Sequence, residues 1–157
     1  MLVEAGLPPS AVTVEVLESV LLDAEGDVAA ALASYGGTDV SLALDDFGTG
    51  SSSLLHLRHV PVGVVKLDRT FVSGLGESRQ DEAIVRAVRA VTSDLGLACV
   101  AEGVELEQQR SWLVAHGVEL AQGYLLARPL PADELTVLLE RGTADRDEGP
   151  PPVASAP

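Results

Sequence analysis

Apolar residues along this chain fall into two alternating patterns. Short β-branched or aliphatic runs occupy Val12–Val16, Ser41–Leu44, Val62–Leu67, Leu97–Ala101 and Val118–Ala121. Between them lie stretches with helical spacing. The clearest is Asp81–Leu95, where Ile84, Val85, Val88, Val91 and Leu95 recur at intervals of three and four and form one apolar stripe. Glu107–Ala115 and Asp133–Glu140 follow the same logic, with a poorer helix near Val28–Ser34. Ser51–Arg58 reads as a short helix with a serine-rich start. Strand-then-helix repetition predicts parallel strands joined by crossover helices, hence an α/β fold. At about 30 residues per βα unit, the chain holds about five units. A complete (β/α)8 barrel needs about 250 residues, so the pattern leaves an open sheet and an incomplete barrel both standing. From Gly142 the composition turns polar and proline-rich, with Gly149-Pro150-Pro151-Pro152 near the end. The expectation is a folded domain over 1–141 and a disordered tail over 142–157.

Composition narrows the possibilities. Of 157 residues, 46% are hydrophobic, which suffices for a core, but only 3% are aromatic, so that core must be built from Val, Leu and Ala. The net charge of −14 repels polyanions and argues against a DNA- or RNA-binding surface. A phosphate-bearing ligand would need cations to offset this field. Cys99 is the single cysteine, so no intrachain disulfide can form, which fits a reducing cytoplasm. Its apolar surroundings, Leu97-Ala98-Cys99-Val100-Ala101, mark it as a buried small hydrophobe rather than a nucleophile. No apolar run approaches the roughly 18 residues of a membrane span, and Met1-Leu2-Val3-Glu4 lacks the basic start of a signal peptide.

Carboxylates gather where the strand runs end. Glu15 and Glu18 close the first run, and Asp45 and Asp46 follow the second. Lys66 and Asp68 end the third, Glu102 and Glu105 follow the fourth, and Gln122 follows the fifth. In parallel α/β folds the C-terminal strand ends converge on one rim, where ligands bind. Acids beside a lysine at one rim suit hard divalent cations such as Mg²⁺ or Mn²⁺. The plainer alternative for any one acid is a helix cap or a solvated turn. Four successive strand ends, and an Asp45-Asp46 pair whose like charges repel, weigh against that alternative. The stretch Asp46-Phe47-Gly48-Thr49-Gly50-Ser51-Ser52-Ser53 reads either as a glycine-rich turn before a capped helix or as a ligand-reporting loop. It lacks the lysine of a nucleotide P-loop.

These segments resemble the EAL family of cyclic di-GMP phosphodiesterases. Asp45-Asp46-Phe47-Gly48-Thr49-Gly50 resembles its DDFGTG segment, and Val65-Lys66-Leu67-Asp68-Arg69-Thr70-Phe71-Val72 its lysine strand. Val100-Ala101-Glu102-Gly103-Val104-Glu105 is similar to its AEGVE segment. Gln122-Gly123-Tyr124 through Arg128-Pro129-Leu130-Pro131 is similar to its QGY…RPLP ending, and Glu15-Val16-Leu17-Glu18-Ser19 to its E-x-x-E-S strand end. The resemblance covers residues 7 to 135. It implies a partial (β/α)8 TIM-type barrel, about the last five βα units, and two-metal hydrolysis of cyclic di-GMP to the linear dinucleotide with Mg²⁺ or Mn²⁺. By the same resemblance, Glu15, Asp45, Asp46 and Glu102 are metal ligands, and Lys66 and Glu102 are catalytic. Glu18, Glu105 and Gln122 support the substrate or the glycine loop.

The family's Glu-Ala-Leu strand, its nearby arginine and an asparagine on the next strand have no counterparts; Glu4-Ala5-Gly6 lacks the leucine and directly precedes the Glu15 strand. Ser51 stands for the usual tyrosine and Leu17 for the usual threonine. The expectation is therefore a truncated phosphodiesterase, weak or inactive alone. Its expected partners are cyclic di-GMP and either a second copy or the missing N-terminal half. A non-catalytic module binding cyclic di-GMP or a protein is the alternative. An unrelated barrel enzyme using Lys66 for Schiff-base chemistry is opposed by the five ordered motifs.

Overall fold

The computed structural model describes residues 4, 6–23, 39–48 and 61–146. The sequence-predicted helices near 28–34 and at 51–58, and the tail from 147, lie outside the described residues. Two compact units divide the chain, Met1–Leu126 and Ala127–Pro157.

The first unit holds a parallel sheet of β1 (Thr13–Leu17), β2 (Ser41–Phe47), β3 (Val64–Leu67), β4 (Ala98–Ala101) and β5 (Leu120–Ala121), in the order of the sequence. A doubly wound sheet reverses its strand order at a switch point. An unreversed parallel order with right-handed crossovers puts all connections on one face and curls the sheet as in a barrel. The open-sheet alternative is thereby set aside in favour of a partial barrel.

Five α-helices accompany these strands among the described residues: α1 (Glu18–Asp23), α2 (Arg69–Ser73), α3 (Arg79–Asp94), α4 (Glu107–Ala115) and α5 (Ala132–Arg146). The apolar stripe read for α3 is the buried one, with Val85 and Val88 in the core and Ile84 and Val91 packed against it. Ser78 caps α3 by accepting from the Asp81 amide at 3.2 Å, and Asp81 and Glu82 place negative charge at its positive end. Helix α4 starts where the buried Gln109 side chain reaches back. Its Oε1 accepts from the Glu105 and Leu106 amides at 2.9 and 3.0 Å.

The core is aliphatic, with Phe47 its one fully buried aromatic among the described residues. Leu42, Leu44, Val65, Leu67, Cys99 and Ala101 pack with Val72, Val85, Val104 and Leu113. Strand β5 is shorter than the run Val118–Ala121 suggests. Val118 is buried, but its amide donates to Leu113 O at 3.0 Å and closes the end of α4 rather than joining the sheet. In the second unit, α5 begins with the Leu135 amide donating to Pro131 O at 2.9 Å and continues to Arg146, past the composition change at Gly142.

Candidate functional site

Strand alternation and register decide which side chains can meet. Successive residues of a strand point to opposite faces. Glu15 pairs with Ala43, Ala43 with Val64, Lys66 with Val100, and Val100 with Leu120. Two positions onward from Ala43, Val64, Val100 and Leu120 come Asp45, Lys66, Glu102 and Gln122. The ladder continues past the strand ends, because the Glu102 amide donates to Leu67 O and the Gln122 amide to Ala101 O, at 3.1 and 2.8 Å. So Glu15, Asp45, Lys66, Glu102 and Gln122 share one sheet face at its C-terminal rim. The intervening Val65, Leu67 and Ala101 point the other way, into the core.

Lys66 is the hub of this rim. Its Nζ lies 2.8 Å from Glu15 Oε1, 3.0 Å from Asp45 Oδ1 and 2.7 Å from Glu102 Oε1. Three strands thus deliver three carboxylates to one buried ammonium. Burial alone would push the Lys66 pKa down, but its contacts with Glu102, Glu15 and Asp45 outweigh burial and hold it above the usual lysine range. Gln122 Nε2 donates to the same Glu102 Oε1 at 2.8 Å and fixes that carboxylate from the far side.

Asp46 joins the rim through a backbone irregularity. In a regular strand it would face away from Asp45. Instead, the β2–β3 register shifts between Leu44 and Phe47, and Asp46 takes a left-handed conformation with φ of 55°. The turn brings one oxygen each from Asp45, Asp46 and Glu102 within 4.8 Å of one another. Partial burial, then the neighbouring Asp45 and Asp68 carboxylates, raise the Asp46 pKa, while Lys66 opposes them. The left-handed turn therefore sets a third carboxylate against Asp45 and Glu102.

Glu18 opens α1 and is buried; its Oε2 accepts from the Gly48 amide at 3.1 Å, across thirty positions of sequence. Gly48 has φ of 101°, and a Cβ there would stand 2.7 Å from the Phe71 ring, so the turn after Phe47 requires glycine. Glu105 is not drawn into the rim. It is exposed and lies with Arg69, Thr70, Ser73, Gly103 and Gln109 around a separate depression.

Asp68 stands among the strand-end acids of the sequence, although the resemblance assigns it no role. It caps α2, accepting from the Thr70 amide at 2.9 Å and the Thr70 hydroxyl at 2.6 Å. Burial opposes its ionisation, but these bonds and Arg69 hold its pKa below the usual range. It therefore adds a firm negative charge beside Asp46. Its place two residues beyond Lys66, on the same strand parity, was the available signal.

Whether this rim suits a divalent cation can be judged from its donors. Carboxylate oxygens are hard ligands. Asp45 Oδ1 is buried and, although Lys66 Nζ lies 3.0 Å away, makes no hydrogen bond of good geometry. Its lone pairs are therefore incompletely used and open to a further cation. Asp45, Asp46 and Glu102 fit such an ion, with Glu15 in reach of the same Lys66 corner.

The sequence family described as EAL domain matches residues 1–129. The chain belongs to the EAL domain family. This EAL chain is 40% identical over 152 residues to NbdA of Pseudomonas aeruginosa, a cyclic di-GMP phosphodiesterase; the match covers 97% of this chain and 19% of NbdA. The EAL domain of Mycobacterium smegmatis DcpA superposes with a TM-score of 0.83 at 42% identity, covering 90% of this chain and 63% of that one. Klebsiella pneumoniae BlrP1, solved with manganese and cyclic di-GMP, superposes with a TM-score of 0.75 at 35% identity, covering 79% of this chain and 32% of BlrP1. The chain thus spans less than two thirds of each. Among the described residues of this EAL chain, no helix is long and apolar enough to cross a membrane.

Proposed function

We propose that this chain supplies the metal-binding rim of a cyclic di-GMP phosphodiesterase acting in the cytoplasm. The observation that carries the reading is the convergence of Glu15, Asp45 and Glu102 on Lys66, with Asp46 brought in by the bulge. Glu15, Asp45, Asp46 and Glu102 would hold Mg²⁺ or Mn²⁺. When bound, such ions would supply a nucleophilic hydroxide and offset negative charge developing at the phosphate. The chain's own residues do the rest. Lys66 presents a positive charge to the phosphate as negative charge develops on it. Gln122 holds Glu102 in place so that it can serve as ligand or exchange a proton at the reacting phosphate. Glu18 pins the Gly48 turn that follows the aspartate pair. The dianionic ligand is compatible with a chain of net charge −14 only because cations stand between them.

One observation favours the non-catalytic alternative. Glu15 is half exposed, and the apolar Val14 and Leu17 on the same strand are exposed as well. A strand of an all-parallel sheet is normally covered on both faces. The β1 side of the rim is thus open, which fits a module that binds cyclic di-GMP or a protein without turning it over.

The test is incubation of the purified chain with Mn²⁺ and cyclic di-GMP, reading ligand binding by calorimetry and the linear dinucleotide by chromatography. The expected result is Mn²⁺-dependent binding with little turnover, both lost in Asp45→Asn. Robust turnover that survives Asp45→Asn and Glu102→Gln would overturn the reading.

A further inference from the structure

Lys66 is the sole lysine of the chain, and it stands among the oxygens assigned above to the metal ions. We propose that its ammonium is the resident counterion of the metal-free site, which an incoming divalent cation must displace. The inference rests on the metal reading above and adds a competition to it.

The argument is one of charge and space. Glu15, Asp45 and Glu102 each contact Nζ at 3.0 Å or less. The side chain is 8% exposed, so water cannot replace those contacts in place. A cation bridging Asp45, Asp46 and Glu102 would use Glu102, whose Oε1 now binds both Lys66 and Gln122 Nε2. It would also use Asp45, whose Oδ1 now faces Nζ. Oxygens turned toward an ammonium are turned away from a metal, and a monovalent and a divalent cation crowded into one small space repel strongly. Without the ammonium, Glu15, Asp45 and Glu102 would lose the cation that all three contact. Lys66 therefore preserves the metal-free rim and weakens its hold on the ion.

Two measurements on the full 157-residue chain test this. In the first, ¹⁵N-lysine labelling gives one side-chain ammonium signal, followed by NMR during titration with Mg²⁺. The expected result is a shift and broadening of that signal that saturates with the ion. The second is Mn²⁺ calorimetry on wild type, Lys66→Met and Lys66→Arg. Lys66→Met is expected to bind at least about tenfold more tightly and to melt lower than wild type in chelator. Lys66→Arg, which keeps the charge, is expected to show no tightening. If wild type binds Mg²⁺ with the ammonium signal unmoved, or Lys66→Met binds Mn²⁺ no more tightly, the counterion role is overturned while the metal site stands. If none of the chains binds either ion, the metal reading falls and this inference with it. Should Lys66→Met fail to fold, the NMR titration of wild type decides alone.

Discussion

Asp46→Asn should make the metal-free protein more stable while removing its response to metal. Asp46 crowds Asp45 and Glu102, with carboxylate oxygens within 4.8 Å of one another. At that separation two unit charges repel by about 1 kcal/mol in bulk water and about 3.5 kcal/mol at an effective dielectric near 20. Lys66 returns part of this, and solvent at the rim screens more. The net expectation is a gain of about 1 kcal/mol, or about 3 °C in Tm for a domain of this size. The assay is thermal unfolding by circular dichroism in chelator, then with saturating Mn²⁺. Wild type should gain stability from the ion by mass action, and Asp46→Asn should gain much less. The reasoning fails if the variant melts no higher than wild type in chelator. It also fails if the variant keeps the full Mn²⁺ increment, for then Asp46 is not a ligand and its crowding has another purpose.

Four further expectations follow from particular contacts. Gly123→Ala should cost more than about 3 kcal/mol in urea unfolding, because its Cβ would stand 2.2 Å from Val104 O and 2.3 Å from Val104 N, against backbone that cannot yield. Leu44→Ala, at a position 1% exposed in the middle of the sheet, should cost about 2–5 kcal/mol in the same assay. Glu18→Ala should cost roughly 2 kcal/mol and speed hydrogen exchange at the Gly48 amide, whose acceptor it removes. Burial pushes the Cys99 thiol above its usual pKa, with Thr92 and Arg89 opposing. Alkylation of native protein near about pH 8 should therefore be at least about 100-fold slower than in denaturant, and should quicken as pH rises and the thiolate forms.

The strands and the acids at their ends were legible because a parallel sheet imposes both an apolar run and a polar terminus on the same few residues. What the sequence could not give was register. That Glu15, Lys66 and Glu102 share a face depends on Glu15 pairing with Ala43 and Lys66 with Val100, and a slip of one residue would turn each of them into the core. Asp46 shows the same limit from the other side. Strict alternation would have excluded it, and only the bulge and the left-handed turn bring it in. Short helices escaped the pattern for want of length: α2 spans five residues, too few for a stripe, and is defined by the Asp68 cap instead. Glu105 stands three positions from Glu102 as Glu18 does from Glu15, yet Glu18 is buried against Gly48 while Glu105 is exposed, its own amide held by the Gln109 side chain. Spacing places a residue near a site; hydrogen-bond partners decide whether it enters.

The same geometry explains how an acidic rim can exist in a folded chain without cations. Isolated, the carboxylates at these strand ends would repel one another and resist burial. Lys66 contacts three of them through a single side chain that the strand's own alternation drives to the correct face, and offsets one of their three charges, while Gln122 and the α2 cap hold Glu102 and Asp68 by hydrogen bonds that need no charge. The compensation is unequal. The partly buried Asp45 and Glu102 both contact Lys66, Glu15 is half in solvent, and Asp46 is crowded against Asp45 and Glu102. Asp45, Asp46 and Glu102 crowd one another within 4.8 Å, and a divalent ion would relieve that repulsion, so the affinity of the rim for metal depends on how closely its acids are held as well as on how many there are.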